Sequence, residues 1–180
     1  MSERNLDFDT IIDRRNTMSL KYDYAERLGF PADILPLWIA DMDFKTSSYV
    51  QDALKEVVEH GIFGYSEALS DYYVAVREYF QKKYNYDFEE RELIKTPGVV
   101  FAIAVAVRSL TNEGDAVMIQ SPVYYPFSAT IEHNGRKVVD STLIYDEKEN
   151  RYAIDFKDFE QKIVDNDVRL FLLCNPHNPV

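Results

Sequence analysis

Residues 93–120, LIKTPGVVFAIAVAVRSLTNEGDAVMIQ, contain the pattern from which the fold class can be inferred. Its first four residues, 93–96, have the composition of a strand, and the Pro-Gly pair at 97–98 punctuates a turn. Residues 99–110 are apolar almost throughout, which predicts a deeply buried helix. The apolar segment 116–119 again has the length of a strand. The stretch therefore predicts a strand, a helix and a second strand in succession.

The same alternation continues toward the C-terminus. Patterning predicts a helix over 125–134, a strand over 137–139, a polar hairpin or meander over 143–154, a helix over 156–163 and a strand over 170–173. Alternating strands and helices indicate an α/β fold with a mostly parallel sheet and helices on both faces. Ligands of such sheets bind at the carboxyl ends of the strands, so the loops after residues 96, 120 and 174 are the candidate sites.

The residues before this region predict helices and an arm. Apolar residues at helical spacing favour a helix that begins after residues 46–48 and ends at Gly61, followed by a second helix over about 67–84. Residues 1–45 are irregular, and their apolar piece at 35–40 is too brief for a core of its own. We therefore expect an extended arm that needs another surface to lie on.

Charge and cysteine content exclude several classes of function. The chain of 180 residues has 20 Lys and Arg against 31 Asp and Glu, a net charge of −11. Scattered basic residues argue against a nucleic-acid or anionic-membrane surface. The single cysteine, Cys174, lies in an apolar run and is expected to be buried and inert, which fits a reducing compartment.

The N-terminus and the histidines support a cytoplasmic protein without a metal site. The first ten residues are polar and do not form a signal peptide, and the longest apolar run, 99–107, is about half of what spans a bilayer. The three histidines, His60, His133 and His177, are far apart in sequence and are expected at the surface or in turns.

Three loop motifs could carry chemistry. Thr96-Pro97-Gly98-Val99-Val100 would open a helix whose free amides suit a phosphate, although such turns are common. The segment 121–127 restrains aromatic residues that could stack on a flat ring or simply pack in a core. The segment 175–179 contains two Asn-Pro pairs, whose amides could bind a ligand or cap a turn. Together the three motifs describe a pocket for a phosphorylated flat ring.

These motifs resemble those of pyridoxal-phosphate (PLP) enzymes with the class I aminotransferase fold. The string LWIADMDF at 37–44, with GIFGY at 61–65 and DFD at 7–9, is similar to the cystathionine β-lyases of the MalY/PatB type. The resemblance implies fold type I of the PLP-dependent transferases and PLP as cofactor. It divides the chain into an arm and small-domain segment over 1–45 and the first part of the PLP-binding large domain over 46–180.

The resemblance also implies roles for particular residues. Amides at the start of the helix would hold the cofactor phosphate, Tyr124 rather than Tyr125 would stack on its ring, and Asn178 would donate to its phenolic oxygen. Tyr65 would reach the phosphate of a neighbouring subunit. The implied cofactor-binding residues are Gly98, Val99, Val100, Tyr124, Asn178 and Tyr65; those bordering the substrate are Trp38, Ile39, Ala40 and Asp41.

The implied activity is a PLP-dependent carbon–sulfur β-lyase in a cytoplasmic homodimer. It would cleave cystathionine or another cysteine S-conjugate to a thiol, pyruvate and ammonia. Two alternatives stay open: a class I aminotransferase on the same fold, and an inactive fragment that at most binds a ligand or partner.

The resemblance further implies that the cofactor-binding lysine, the aspartate at the pyridine nitrogen and the arginine for the substrate carboxylate all come after Val180. None of the ten lysines present lies in a matching motif. We therefore expect the 180 residues to be a fragment without a catalytic residue, inactive by itself and prone to oligomerise or aggregate.

Overall fold

A computed structural model describes residues 7–180, so the first six residues of the predicted arm lie outside the described part. The chain packs as two compact units, the first running to Ala68 and the second from Leu69 to Val180. This division falls after the predicted boundary at residue 45. The assignment of the two sides to an arm and a large domain stays a prediction.

The helices lie close to where patterning predicted them. The first unit contains α1, and the second contains α2 to α5. Their bounds are Ser48–His60 for α1, Ser70–Tyr84 for α2, Val99–Leu110 for α3, Pro126–His133 for α4 and Phe156–Asp165 for α5. The Ser47 hydroxyl caps α1 by accepting from the Tyr49 amide, and Gly61 ends α1 at φ 72°, a left-handed conformation that glycine adopts without strain.

The second unit contains a parallel sheet of three strands and a separate hairpin. The five strands are Ala116–Ile119 (β1), Lys137–Asp140 (β2), Ile144–Asp146 (β3), Arg151–Ala153 (β4) and Val168–Phe171 (β5). The sheet has the order β2-β1-β5 with both pairs parallel, and β3 pairs with β4 as the predicted antiparallel hairpin.

Helices cover both faces of the sheet, as the α/β pattern predicted. On one face, Val107 of α3 and Ile131 of α4 pack with Val117 of β1. On the other face, Phe159 of α5 packs with Met118 of β1. The whole of β1 is buried because it lies between two strands and between two layers of helices.

Two predictions about residues 93–120 were wrong. Residues 93–96 are not a strand, since no strand in the described part of the chain supplies ladder hydrogen bonds to them. Helix α3 has the predicted bounds but is not deeply buried: among its residues only Val107 is buried. Apolar side chains favour burial, but a helix is buried only where a neighbouring element packs against it.

Apolar side chains are also exposed elsewhere. No residue of α1 or α2 is buried, although both helices carry apolar residues.

In α2, the Tyr73 hydroxyl donates to the Phe88 carbonyl at 2.8 Å, and Phe80 packs against Phe88 in a small aromatic cluster. Within residues 7–180, no helix is both long and apolar enough to cross a membrane.

Candidate functional site

Helix α3 starts at the carboxyl edge of the sheet. Its C-terminal end lies at the amino edge, because Arg136, directly before β2, donates from Nε to the Thr111 hydroxyl at 2.9 Å and from Nη2 to the Thr111 carbonyl at 2.6 Å. From there Val107 and Ile103 pack along the sheet. A helix of this length spans about 18 Å. Its N-terminus therefore reaches the edge where β1, β2 and β5 end.

The N-terminus of α3 has room for an anion. Gly98 is the N-cap, and the Thr96 hydroxyl donates to its carbonyl at 3.1 Å. A Cβ placed on Gly98 would meet no atom within 4 Å, so the space beside Gly98, at the start of the helix, is open. The first amides of a helix lack intrahelical acceptors and carry partial positive charge. Gly98, Val99 and Val100 thus present donors to this open space.

The loops after β1 and β5 are joined to each other by a backbone hydrogen bond. The Tyr124 amide donates to the Asn178 carbonyl at 2.8 Å. Tyr124 was predicted as the stacking ring and Asn178 as the amide donor, so the structure brings these two residues together. The N-terminus of α3 lies at the same edge of the sheet.

Two further contacts hold this junction. One nitrogen of His177, Nε2, lies 2.9 Å from the Pro122 carbonyl, which links the same two loops a second time. The Asn178 amide donates to the Cys174 sulfur at 3.3 Å. Cys174 is half-buried rather than buried as expected, and its sulfur acts as a hydrogen-bond acceptor for the candidate site.

The two tyrosines of the first loop differ in exposure. Tyr124 is 38% exposed and Tyr125 is 78% exposed, with ring centroids 5.4 Å apart. The Asn178 side chain is exposed, and its carboxamide makes no hydrogen bond within residues 7–180. A partly sheltered ring beside an unpaired amide can bind a flat polar ring.

Polar contacts between β1 and β2 brace the base of the first loop. The Asp140 carboxylate, at the end of β2, accepts from the Ser121 amide at 2.9 Å and from the Ser121 hydroxyl. The Leu143 amide donates to the Ser121 carbonyl at 2.7 Å. Lys162 of α5 donates to the Asp140 carbonyl, so the end of β2 is tied to the helix layer as well.

A cavity of about 790 Å³ lies between the hairpin and the loop after β5. Its lining includes Gln120, Tyr145, Tyr152 and His177. Gln120 is only 3% exposed, and its side-chain nitrogen is buried and has no hydrogen-bond partner among the residues that the structure describes. The cavity adjoins the His177 junction, but Gly98, Tyr124 and Asn178 are not among its lining residues.

The predicted substrate-bordering residues belong to the first unit. Trp38 is half-buried and its ring stacks on Phe30 at 4.8 Å. Ile39 has a φ of 60°, and Ala40 and Asp41 are exposed. A left-handed φ at a β-branched residue is strained.

Tyr65 also belongs to the first unit, and its side chain is fully exposed. It lies in the irregular segment that follows α1. An exposed aromatic ring with one polar group is suited to a contact with another molecule.

Sequence reasoning missed two contributors to the site. His177 was expected to be an ordinary surface or turn residue, yet it bonds to Pro122 across the two loops. Its position between two Asn-Pro pairs was the available signal. The Ser121–Asp140 contact had no signal, because only the parallel pairing of β1 with β2 brings the two residues together.

Comparison with known proteins agrees with this architecture. Residues 32–180 match the sequence profile described as aminotransferase class I and II. The chain is 42% identical over 174 residues to the cystathionine β-lyase PatB of Bacillus subtilis, a match that covers 97% of this chain and 44% of that protein.

Two solved structures are also similar. A PLP-bound C–S lyase from Staphylococcus hominis, complexed with the inhibitor L-cycloserine, superposes with a TM-score of 0.87 at 32% identity, over 96% of this chain and 44% of that one. Cystalysin from Treponema denticola, which contains pyridoxal 5'-phosphate, superposes with a TM-score of 0.86 at 34% identity, over 97% and 44%. The chain thus spans less than half the length of the relatives it matches.

Proposed function

Since the chain belongs to the family of class I and II aminotransferases, we propose that the full protein is a PLP-dependent carbon–sulfur β-lyase. In this proposal, residues 69–180 supply much of the cofactor site. The observation that carries it is the hydrogen bond from the Tyr124 amide to the Asn178 carbonyl, which joins two predicted cofactor contacts at one edge of the sheet.

The donor set fits the phosphate of PLP. The open space before α3 faces amides of Gly98, Val99 and Val100, and a dianionic phosphate is stabilised by such amides and by the helix dipole. Because these donors belong to the backbone, they stay in place as long as the helix does. This geometry supports an anchoring role for the start of α3.

The remaining contacts fit the ring of PLP. Tyr124 offers one partly sheltered aromatic face, and Asn178 offers an amide nitrogen that can donate to an oxygen on the ring. His177 ties the Asn178 loop to the Tyr124 loop, and Cys174 fixes the turn within the Asn178 loop. Stacking and donation would together orient the ring against the sheet edge.

When bound, PLP would supply an electron sink for the charge left by removal of the α-proton of an amino acid, which is the chemistry that β-elimination of a thiolate requires. The residues of this chain would anchor and orient the cofactor. In the first unit, Trp38, Ile39, Ala40 and Asp41 would border the substrate. These assignments are proposals, supported by the sequence motifs of those positions.

A class I aminotransferase is the second candidate, because the cofactor contacts would be the same. The lyase is favoured by the 37–44 string and by the β-lyase name of the 42% identical relative. The direct test incubates the full protein with cystathionine and no keto-acid acceptor. Pyruvate, ammonia and free thiol in equal amounts support the lyase; turnover only with an added keto acid indicates the aminotransferase.

Paired variants test the cofactor contacts. Tyr124→Ala is expected to weaken PLP binding about tenfold, because loss of a stacked ring costs roughly 1 kcal/mol or more. Tyr125→Ala, which changes the neighbouring exposed ring, serves as the matched control and should bind PLP normally. Equal affinity of the two variants would contradict the assignment of Tyr124.

The isolated 180 residues are proposed to lack turnover. Lys162 is held by the Asp140 carbonyl and Asp158, and the Lys95 ammonium lies 5.9 Å from the ring of Tyr72. Borohydride treatment of the chain with PLP, followed by mass spectrometry, should give no adduct at a single lysine. A site-specific adduct together with turnover would refute this part.

The assembly and location complete the proposal. We infer a homodimer in which the exposed Tyr65 of each subunit contacts the phosphate site of the other. A cytoplasmic location is the accompanying prediction, supported by the single cysteine, Cys174, which has no second cysteine among these residues to form a disulfide with. Light scattering of Tyr65→Ala and PLP titration of the same variant would separate loss of the dimer from loss of a phosphate contact.

A further inference from the structure

A buried ammonium in the first unit anchors the segment that borders the proposed substrate site. Lys21 is only 7% exposed, and its Nζ donates to the Asp43 carboxylate at 2.9 Å and to the Asp41 carbonyl at 3.0 Å. Burial of a lysine is costly unless its charge and its donors are satisfied. Both acceptors lie just after residues 38–40.

Two more side chains converge on the same pair of aspartates. The Arg14 guanidinium donates to the Asp43 carboxylate at 2.7 Å and pairs with the Asp41 carboxylate. The Tyr22 hydroxyl donates to Asp43 at 3.0 Å. We name Arg14, Lys21 and Tyr22 the clasp. All three of its members donate to one carboxylate, that of Asp43.

The clasp is itself held in shape by a second carboxylate. Asp23 accepts from the amides of Asn16, Thr17 and Ser19, at 2.8, 3.0 and 3.0 Å. These bonds close the turn between Arg14 and Lys21. They also lower the pKa of Asp23, led by the bond from the Asn16 amide. The turn between Arg14 and Lys21 is therefore held by hydrogen bonds of its own, apart from its contacts with the 38–44 segment.

The segment between the anchors is strained. Ile39 has φ 60°, a left-handed conformation that strains a β-branched residue. On one side of it Trp38 is fixed by stacking on Phe30, and on the other side Asp41 and Asp43 are fixed by the clasp. A strained backbone persists only where its surroundings hold it, and here anchors lie on both sides.

We propose that the clasp consists of positioning residues, which fix the backbone of residues 38–41 in the conformation that receives the substrate. This inference rests on the proposed function, in which those residues border the amino-acid substrate. The clasp touches no reacting atom. It acts through Asp41 and Asp43 on the backbone of Ile39 and Ala40.

The test compares Lys21→Met with Lys21→Arg, which keeps the charge and the donors. In the full PLP-loaded protein, Lys21→Met should raise KM for cystathionine about tenfold with kcat within about twofold, because a misplaced binding segment weakens binding more than chemistry. Lys21→Arg should recover most of the wild-type KM. The control is Lys45→Met, at an exposed lysine of the same unit, with unchanged KM.

A second readout does not depend on catalysis. Trp38 is the only tryptophan of the 180 residues, so the part of the emission and of its quenching by acrylamide that is lost in Trp38→Phe reports on the segment. Lys21→Met should shift the emission and raise the quenching constant about twofold, whereas Lys45→Met should leave both unchanged. If the wild-type protein cleaves nothing, the proposed function fails, and the Trp38 readout still decides whether the clasp holds the segment.

Two results would overturn the proposal. One is an unchanged KM and unchanged Trp38 quenching in Lys21→Met. The other is an equal fall of kcat and stability in all variants, which indicates a purely structural role. If Lys21→Met does not fold, Tyr22→Phe decides, since it deletes only one hydroxyl: a raised KM and raised quenching support the clasp, and wild-type values refute it.

Discussion

Among single residues, the ionisation of one carboxylate, Asp43, is coupled to its hydrogen bonds in the first unit. Asp43 accepts from Lys21, Arg14 and Tyr22, and these hydrogen bonds, led by that from Lys21, lower the pKa of Asp43 to about 2. Its ordinary value is 3.8. The folded state thus favours the ionised carboxylate, because protonation would break the contacts that hold the 38–44 segment.

The sign of the resulting pH dependence follows from this lowered pKa. The stabilisation by Asp43 is complete above about pH 4 and is lost as the pH falls toward about 2. Trp38 emission between pH 6 and pH 2 should therefore show an acid transition that is smaller in Asp43→Asn. Asp33→Asn, at an exposed aspartate, is the control and should titrate like the wild type. Identical acid transitions in all three proteins would contradict the role of Asp43.

In the second unit, His177 joins the two loops of the candidate site. Loss of its bond to the Pro122 carbonyl should reduce the free energy of unfolding by about 1 kcal/mol in His177→Ala. Urea unfolding followed by circular dichroism measures this change. His133→Ala removes an exposed histidine at the end of α4 and should have no effect. Equal midpoints for the two variants would show that the junction does not need His177.

Among the elements, α3 contributes the free amides of its N-terminus to the candidate phosphate site. Patterning predicted its bounds, but its direction relative to the sheet depends on the Arg136–Thr111 contact and on the packing of Val107. That direction places the free amides of the helix at the edge where the β1 and β5 loops meet. The phosphate assignment therefore belongs to the element and not to any one side chain.

A proline substitution can remove one of these amides without breaking α3. Val99 is the first helical residue, where proline is tolerated, and its side chain is 71% exposed. Val99→Pro should weaken PLP binding in the full protein about tenfold, since a hydrogen bond to a charged group contributes about 1.5–3 kcal/mol. Val99→Ala keeps the amide and should bind normally. Similar dissociation constants for PLP in both variants would refute the role of the Val99 amide in phosphate binding.

For the whole molecule, the notable feature is the apolar surface that its elements leave uncovered. Leu54 and Val57 of α1 and Phe101 and Leu110 of α3 are all more than half exposed. Within the described residues, β2 and β5 are the edge strands of the parallel sheet. Exposed apolar patches and open strand edges favour association with other chains.

The 180-residue chain should therefore self-associate in a concentration-dependent way. Light scattering after size exclusion should give a mass above 21.0 kDa at micromolar concentration. Leu54→Glu, which places a charge on the apolar face of α1, should shift the distribution toward the monomer. Glu56→Gln on the same helix is the control. A monomer at all concentrations would show that these surfaces do not drive association.

The fold was largely predictable from local patterns. The helices, the three parallel strands and the hairpin lie close to their predicted positions, because apolar periodicity and turn residues act over short distances along the chain. The predicted strand at 93–96 and the deep burial of α3 were wrong for one reason. Both depend on a neighbour that local sequence does not specify.

The candidate site, like the fold, was predictable from the sequence only in part. Residue types and their order determined that a phosphate cradle, an aromatic ring and an amide follow one another along the chain, at Gly98, Tyr124 and Asn178. Three contacts became evident only from the folded chain: Tyr124 meets Asn178, His177 ties their two loops together, and Lys21 lies buried against Asp43. The physical reason is that hydrogen bonds and burial between residues distant in sequence depend on how strands pair and loops turn, and these contacts leave no periodic mark in the sequence.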